Sequence, residues 1–188
     1  TFGNGNGLEG LGACGAKKVI VARGVASVDG QQLTKLVCDS AAKESATTIV
    51  CVHDATGKAV APRVAARLKA GHIAGALGLP VDGKFKRNVF SGKAQAWMQV
   101  TSPVKVISLM PNSIPIAKGE GTASMEEYSG DLGAARITVK EVRKAGTGIP
   151  LPEAEIVVSA GRGMKGPEHW APVEELAQLL GGATACSR

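Results

Sequence analysis

Aromatic side chains are scarce in this sequence: two Trp, one Tyr and three Phe among 188 residues. Stacked rings cannot build its interior. Val, Ala, Ile and Leu must fill it, as they do where parallel strands lie buried between helices. The four cysteines, at 14, 38, 51 and 186, include no C-x-x-C pair, and no His-x-x-x-His stretch accompanies them, so the common zinc patterns are missing. Free and mostly buried thiols of a reducing compartment are expected instead. No apolar run approaches the roughly 20 residues of a membrane helix, and membrane insertion is not expected. Lysine and arginine outnumber the acids 22 to 16, for a net charge of +6, but they form no basic run interleaved with aromatics. Nucleic acid is therefore not an expected partner. The opening residues 1–7 carry neither an initiating Met nor a signal-peptide pattern, and read as a chain joined in progress.

What is present has the rhythm of an α/β protein. Residues 17–23 (KKVIVAR) form a short β-branched run suited to a buried strand. Leu33, Leu36, Val37, Ser40 and Ala41 then recur at helical spacing within 31–44, the stripe of a helix packed on a sheet. Residues 47–52 (TTIVCV) read as a second buried strand, followed by a helix with Val60, Val64 and Leu68 on one face and with Pro62 expected near its first turn. Strand–helix–strand–helix implies a mainly parallel sheet. Residues 84–90 and 94–100 read as a β-hairpin turning at Ser91-Gly92-Lys93, and 104–110 as another strand. Residues 111–135 show no period and read as a long loop, and the alternation in 136–143 (RITVKEVR) predicts a half-exposed strand.

Gly/Pro density marks 145–152 as a boundary. Residues 1–145 are then an N-terminal α/β domain, and 146–188 a linker and the start of a second domain. In that second part a strand over 154–160 runs into Gly161-Arg162-Gly163-Met164-Lys165-Gly166, and a helix is expected from about Glu168 to Gly181-Gly182. A glycine-rich turn between strand and helix lets backbone amides approach a phosphate, and Arg162 and Lys165 add full charges. The acidic residue that holds an NAD ribose about 20 residues further on is missing, since Gly-Gly-Ala-Thr-Ala-Cys stands there. That counts against an NAD-dependent dehydrogenase and leaves flavin or another nucleotide, including a non-redox nucleotide-binding module. His53-Asp54 closes the second strand but has no nucleophile-elbow serine beside it, so a structural role is expected. His72 and His169 read as surface, Glu126-Glu127 and Glu174-Glu175 as solvated faces, and Met98 and Met110 as core. Trp97 and Trp170 could cover a flavin or simply pack.

Three stretches together resemble the alpha subunit of the electron transfer flavoproteins: AEIVVSAGRGMKG with the later ATACSR in 154–188, TGKAVAPRVAARLKAG at 56–71, and the hairpin KFKRNVFSGKAQA at 84–96. Their order and spacing fit as well, over nearly the whole chain. The resemblance implies a doubly wound FAD-binding domain after the boundary, of which the first strand–helix unit is present. It implies FAD as cofactor, contacted at the Gly161-Arg162-Gly163 turn and by Ser187, with the Arg188 guanidinium beside the flavin ring. It also implies a beta-subunit partner, donor dehydrogenases such as acyl-CoA dehydrogenases, a quinone oxidoreductase or similar acceptor, and a cytoplasmic or mitochondrial-matrix setting. No residue acts as acid, base or nucleophile, so the expected role is electron carrier rather than enzyme. The family's alpha subunit begins with a further strand and helix and continues well past Arg188, and both are expected to be missing here. Asn88 stands where the family often has Pro, and Ala160 where it often has Gly. The domain reading carries its own test: limited proteolysis should cut first within 145–152 or 111–135 and leave 47–70 intact. First cuts inside 47–70 would show the boundary to be misplaced.

Overall fold

The computed structural model describes residues 5–23, 29–141, 149, 151 and 154–186. The chain divides into two compact units, residues 1–139 and 140–188. Most of the Gly/Pro-rich stretch at 145–152 lies outside the described residues.

In the first unit a short 3-10 helix, Leu8–Cys14, leads into strand β1, Lys18–Val21. Helix α1, Gly30–Lys43, β2, Thr48–Val52, and α2, Ala55–Leu68, follow the expected order. Next come β3, Gly71–Ala76, the hairpin strands β4, Phe85–Val89, and β5, Ala94–Met98, then β6, Lys105–Leu109, and β7, Ser124–Glu127. Five strands form one sheet in the order β2-β6-β3-β4-β5. Its β2, β6 and β3 run parallel, and β4 and β5 form the antiparallel hairpin. The expected α/β class with a mainly parallel sheet, flanking helices and a hairpin is what the fold shows. The core between sheet and helices joins Ile49 and Val106 to Val60, Ala61, Val64 and Ala65 of α2 and to Cys38 and Ala41 of α1. All are aliphatic or sulfur-bearing, as the lack of aromatics requires.

At four places the structure departs from the sequence reading. Pro62 sits at the eighth residue of α2 rather than in its first turn, because Asp54 caps the helix earlier by accepting the Gly57 N–H at 2.7 Å. The ring lies on the exposed side while Val60, Ala61, Val64 and Ala65 are buried, and that packing outweighs the missing backbone bond. Strand β3 (GHIAGA) has no β-pattern in sequence. It exists because β6 and β4 flank it and because it buries Ile73 and Ala76. Strand β7 interrupts the expected loop and pairs parallel with β1, placing Glu126 on Lys18 at 3.1 Å and on Lys43. Those two amines, Lys43 first, hold the Glu126 carboxyl below its ordinary pKa, so Glu126 is an ion-pair hub rather than a freely solvated acid.

Residues 136–141, the fourth such place, join no ladder. Their partner is a side chain. Asp29 is 1% exposed; its Oδ1 accepts the N–H groups of Gln31 at 2.7 Å and Gln32 at 3.2 Å, capping α1. Its Oδ2 accepts those of Arg136 at 3.0 Å and Ile137 at 3.2 Å. Gln32 Nε2 also donates to the Gly133 carbonyl at 2.7 Å. One carboxylate thus fixes both a helix start and a segment more than a hundred residues away.

In the second unit β8, Val157–Ala160, pairs parallel with β9, Ala183–Cys186. Helix α3, Ala171–Leu179, buries Val173 and Ala177. It starts later than the expected Glu168, because a separate 3-10 turn, Pro167–His169, comes first. Leu176 and Leu180, at helical spacing from Val173 and Ala177, are about half exposed.

Burial pushes the Asp29 pKa up, but the four amide hydrogen bonds outweigh it and hold the carboxyl below its ordinary value. Its contribution is therefore present above the ordinary carboxylate range and lost as pH falls through the lowered value. Asp29→Ala should lower the melting temperature at neutral pH, on the order of 5 °C, and the deficit should shrink below about pH 3.9. Equal melting curves at pH 7 would show that the four bonds contribute nothing net.

Candidate cofactor site

Parallel strands end together, so the register of β8 and β9 decides what gathers at their carboxyl ends. Ala160 lies opposite Cys186, and the chain beyond Ala160 turns sharply through Gly161 into a 3-10 turn, Arg162–Met164. Lys165 comes next in the left-handed region, at φ 66°, a conformation that costs a non-glycine residue energy. Then come Gly166, the second 3-10 turn and the start of α3 at Ala171. The glycine-rich segment therefore does not open directly into a long helix. Two short turns intervene, and Trp170, the residue before α3, makes no side-chain capping bond.

Gly161, Arg162, Met164, Lys165, Gly166, Pro167, Trp170 and Cys186 line a cleft of about 520 Å³, within the usual range of small-molecule sites. A side chain built at Gly163 would meet nothing within 4 Å, so that backbone is open to an approaching ligand. Among the described residues neither Arg162 nor Lys165 forms an ion pair. Two unpaired cations beside a wall of Met164, Pro167 and Trp170 can hold a ligand that is anionic in one part and a flat ring in another. That mixed chemistry fits FAD, with its pyrophosphate and ring systems.

Of the five expected contact residues, Gly161, Arg162 and Gly163 stand together on this turn. Ser187 and Arg188 lie outside the described residues. Trp170, left open between packing and ligand, is half-buried in the cleft wall. Cys186 was missed. Its signal was the parallel pairing itself, which obliges the end of the second strand to lie beside the turn after the first.

The other candidates are placed elsewhere. His53 follows directly on β2, with its backbone N–H on the Leu109 carbonyl at 2.6 Å and its Nδ1 on Ser108 Oγ at 2.9 Å. The same oxygen accepts the Gly75 N–H at 3.3 Å. Asp54 is engaged at Gly57, so no Asp–His pair forms. Burial, then Lys58 and Arg87, hold the His53 imidazole below its ordinary pKa, consistent with a neutral ring locked in a structural relay. His72, expected at the surface, is half-buried in β3 with Nε2 enclosed and unpaired. His169 is exposed. Met98 and Met110 are more exposed than core residues, because β5 is an edge strand and Met110 lies just past the end of β6. All four cysteines are free; Cys38 is buried and Cys51 half-buried, but Cys14 and Cys186 are exposed. Among the described residues no group of three or more His, Cys, Asp or Glu could hold a metal ion, and no helix is long and apolar enough to cross a membrane.

Comparison with known proteins agrees with this geometry. The electron transfer flavoprotein domain matches residues 2–132, and the electron transfer flavoprotein FAD-binding domain matches residues 150–188, which include the cleft. The chain is 35% identical over 152 residues to the electron transfer flavoprotein subunit alpha of Bacillus subtilis (strain 168), covering 78% of this chain and 47% of that protein. It is 35% identical over 135 residues to the subunit of the same name from Pseudomonas aeruginosa, covering 70% and 43%. The probable mitochondrial alpha subunit of Caenorhabditis elegans is 27% identical over 179 residues, covering 93% and 54%. The chain spans about half the length of these relatives. The cofactor that goes with the second domain match is FAD, and on both domain matches together the chain belongs to the electron transfer flavoprotein alpha-subunit family.

Proposed function

We propose that this chain carries electrons by holding FAD at the turn after β8, and that it does so as the alpha part of a heterodimer with a beta-type subunit. The observation that carries this is the cleft itself, with Arg162 and Lys165 unpaired beside an apolar wall at the ends of two parallel strands. When bound, FAD supplies the redox chemistry by taking up and releasing electrons. The chain's own residues bind and orient. Arg162 and Lys165 offer positive charge to the anionic part of the ligand, Gly161 and Gly163 let the backbone come close, and Met164, Pro167 and Trp170 shield the ring from water. We assign Ser187 and Arg188 to the same site, with the Arg188 guanidinium beside the ring. The donors are dehydrogenases of the acyl-CoA class, and the acceptor is a quinone oxidoreductase or similar. The setting is the cytoplasm of a bacterium or the matrix of a mitochondrion. Residues 1–145 serve as the N-terminal domain and 146–188 as linker and first part of the FAD domain. An NAD site has less support, since no acidic residue comes after the start of β9 in the described chain to hold a ribose.

Two measurements test this. One strand–turn–helix unit holds few of the contacts FAD needs, so the 188-residue chain should bind FAD only weakly in a fluorescence titration. Arg162→Ala with Lys165→Ala should weaken that binding further, by about tenfold. Sub-micromolar affinity would contradict the weak-binding expectation, and no effect of the double change would contradict the assignment of Arg162 and Lys165. In the full-length subunit with its beta partner, Arg188→Ala should lower the flavin's reduction potential without abolishing binding. A guanidinium ~4 Å from the added charge is worth about 4 kcal/mol at an effective dielectric of ~20, of which roughly 1–2 kcal/mol should survive solvent screening. Unchanged potentials in both Arg188→Ala and Arg188→Lys would remove Arg188 from the site.

A further inference from the structure

Strand β5 closes the five-stranded sheet, and among the described residues no strand pairs with its outer edge. A free edge presents alternate unpaired N–H and C=O groups and is normally protected by charges, proline or a bulge. The residues of β5, Ala94-Gln95-Ala96-Trp97-Met98, include no charge and no proline. Its pairing with β4 runs without interruption from Phe85↔Met98 to Val89↔Ala94. Four of its five residues are exposed, on both faces of the strand. Trp97 is 53% exposed, Phe90 at the hairpin turn 80%, and Leu79 and Val81 at its base are exposed as well.

The charge around this edge has one sign. Between residues 77 and 104 stand Lys84, Lys86, Arg87 and Lys93 against Asp82 alone, a net +3 out of the chain's +6. Among the described residues none of these four cations forms an ion pair, and Arg87 Nε is buried without an acceptor. Lys86 lies over the Trp97 ring, 5.9 Å from its centre. We propose that the free edge of β5 docks an extended, acidic segment of a partner protein, which adds to the sheet as a sixth strand. Its backbone satisfies the edge, its carboxylates meet Lys84, Lys86 and Lys93, and its apolar side chains cover Trp97. Backbone pairing decides the class of partner: nucleic acid and lipid offer no ladder of amides to a strand edge, and Lys86 already occupies one face of the ring a base would stack on. This inference draws on the first unit alone and does not depend on the flavin reading.

The test uses the full 188-residue chain and a blocked octapeptide of two Glu-Glu-Val-Val repeats, which as a strand carries both glutamate and valine on the face shared by Lys86 and Trp97, followed by amide hydrogen exchange. Alternate amides of β5 should slow by about tenfold or more at saturation. Lys84→Glu with Lys86→Glu should raise the peptide concentration required by at least about tenfold, and Lys93→Glu, at the hairpin turn, should shift it in the same direction. A lysine–valine peptide should leave β5 unchanged. The proposal is overturned if millimolar peptide leaves the β5 amides unprotected, or if the lysine–valine peptide protects them equally. It is overturned too if a short single-stranded oligonucleotide, phosphatidylserine vesicles, or a rising concentration of the chain itself gives the protection instead.

Discussion

The tightest constraint in this molecule is the space left where a strand meets the backbone of a neighbouring element. At the end of β2 a side chain at Gly57 would sit 1.7 Å from the Val52 carbonyl oxygen, so the first turn of α2 can pack on the strand only if that residue is glycine. Asp54 then caps the helix on the Gly57 amide. Together they aim α2 so that Val60 and Val64 meet Ile49 and Val106. The second unit meets the same demand from the other side. A side chain at Gly182 would fall 2.6 Å from the Ile156 carbonyl oxygen, and that oxygen accepts the Ala183 N–H at 2.9 Å. The chain leaving α3 must pass this close to start β9 beside β8. The cleft depends on that passage, because it brings Cys186 level with Ala160 and the turn beyond it.

Legibility in the sequence tracked the origin of each element's stability. Strands β1, β2 and β6 and helix α1 carry their own periodic pattern, and they stand within a residue or two of where the pattern puts them. Strand β3 carries none. Its glycines weaken any local preference, and it is a strand because its neighbours supply the ladder and Ile73 and Ala76 supply the burial. Strand β7 is similar, being four residues held by β1 and by Glu126's two lysines. The reverse error occurs at 136–141, where clean alternation suggests a strand but none of the described residues pairs with it as a strand. Asp29, an aspartate far away in sequence, takes the two amides instead. Alternation reports a side-chain pattern, whereas a strand also needs an edge to pair with.

The site shows the same division. Gly161, Arg162 and Gly163 were readable, because glycines between a strand and a helix have a local reason. Trp170 and Cys186 were not assigned to it, since their places depend on two short turns and on strand register. The two 3-10 turns between Gly161 and α3 also change how the turn can work. Without a long helix opening at the glycines, most of the positive potential at the cleft must come from Arg162 and Lys165 rather than from aligned helix amides.

That source of charge bears on what kind of chemistry the cleft can support. Guanidinium and ammonium groups supply positive charge and hydrogen-bond donors. Cys186 is also part of the lining, while His53, Cys38 and Cys51 are engaged in the first unit. His53 is tied to Ser108 and kept from charging by its burial and by Lys58 and Arg87. The burial of Cys38 and Cys51 raises their pKa and keeps them protonated. A cleft built from fixed cations, glycine backbone and an apolar wall is suited to holding a ligand and biasing its charge state.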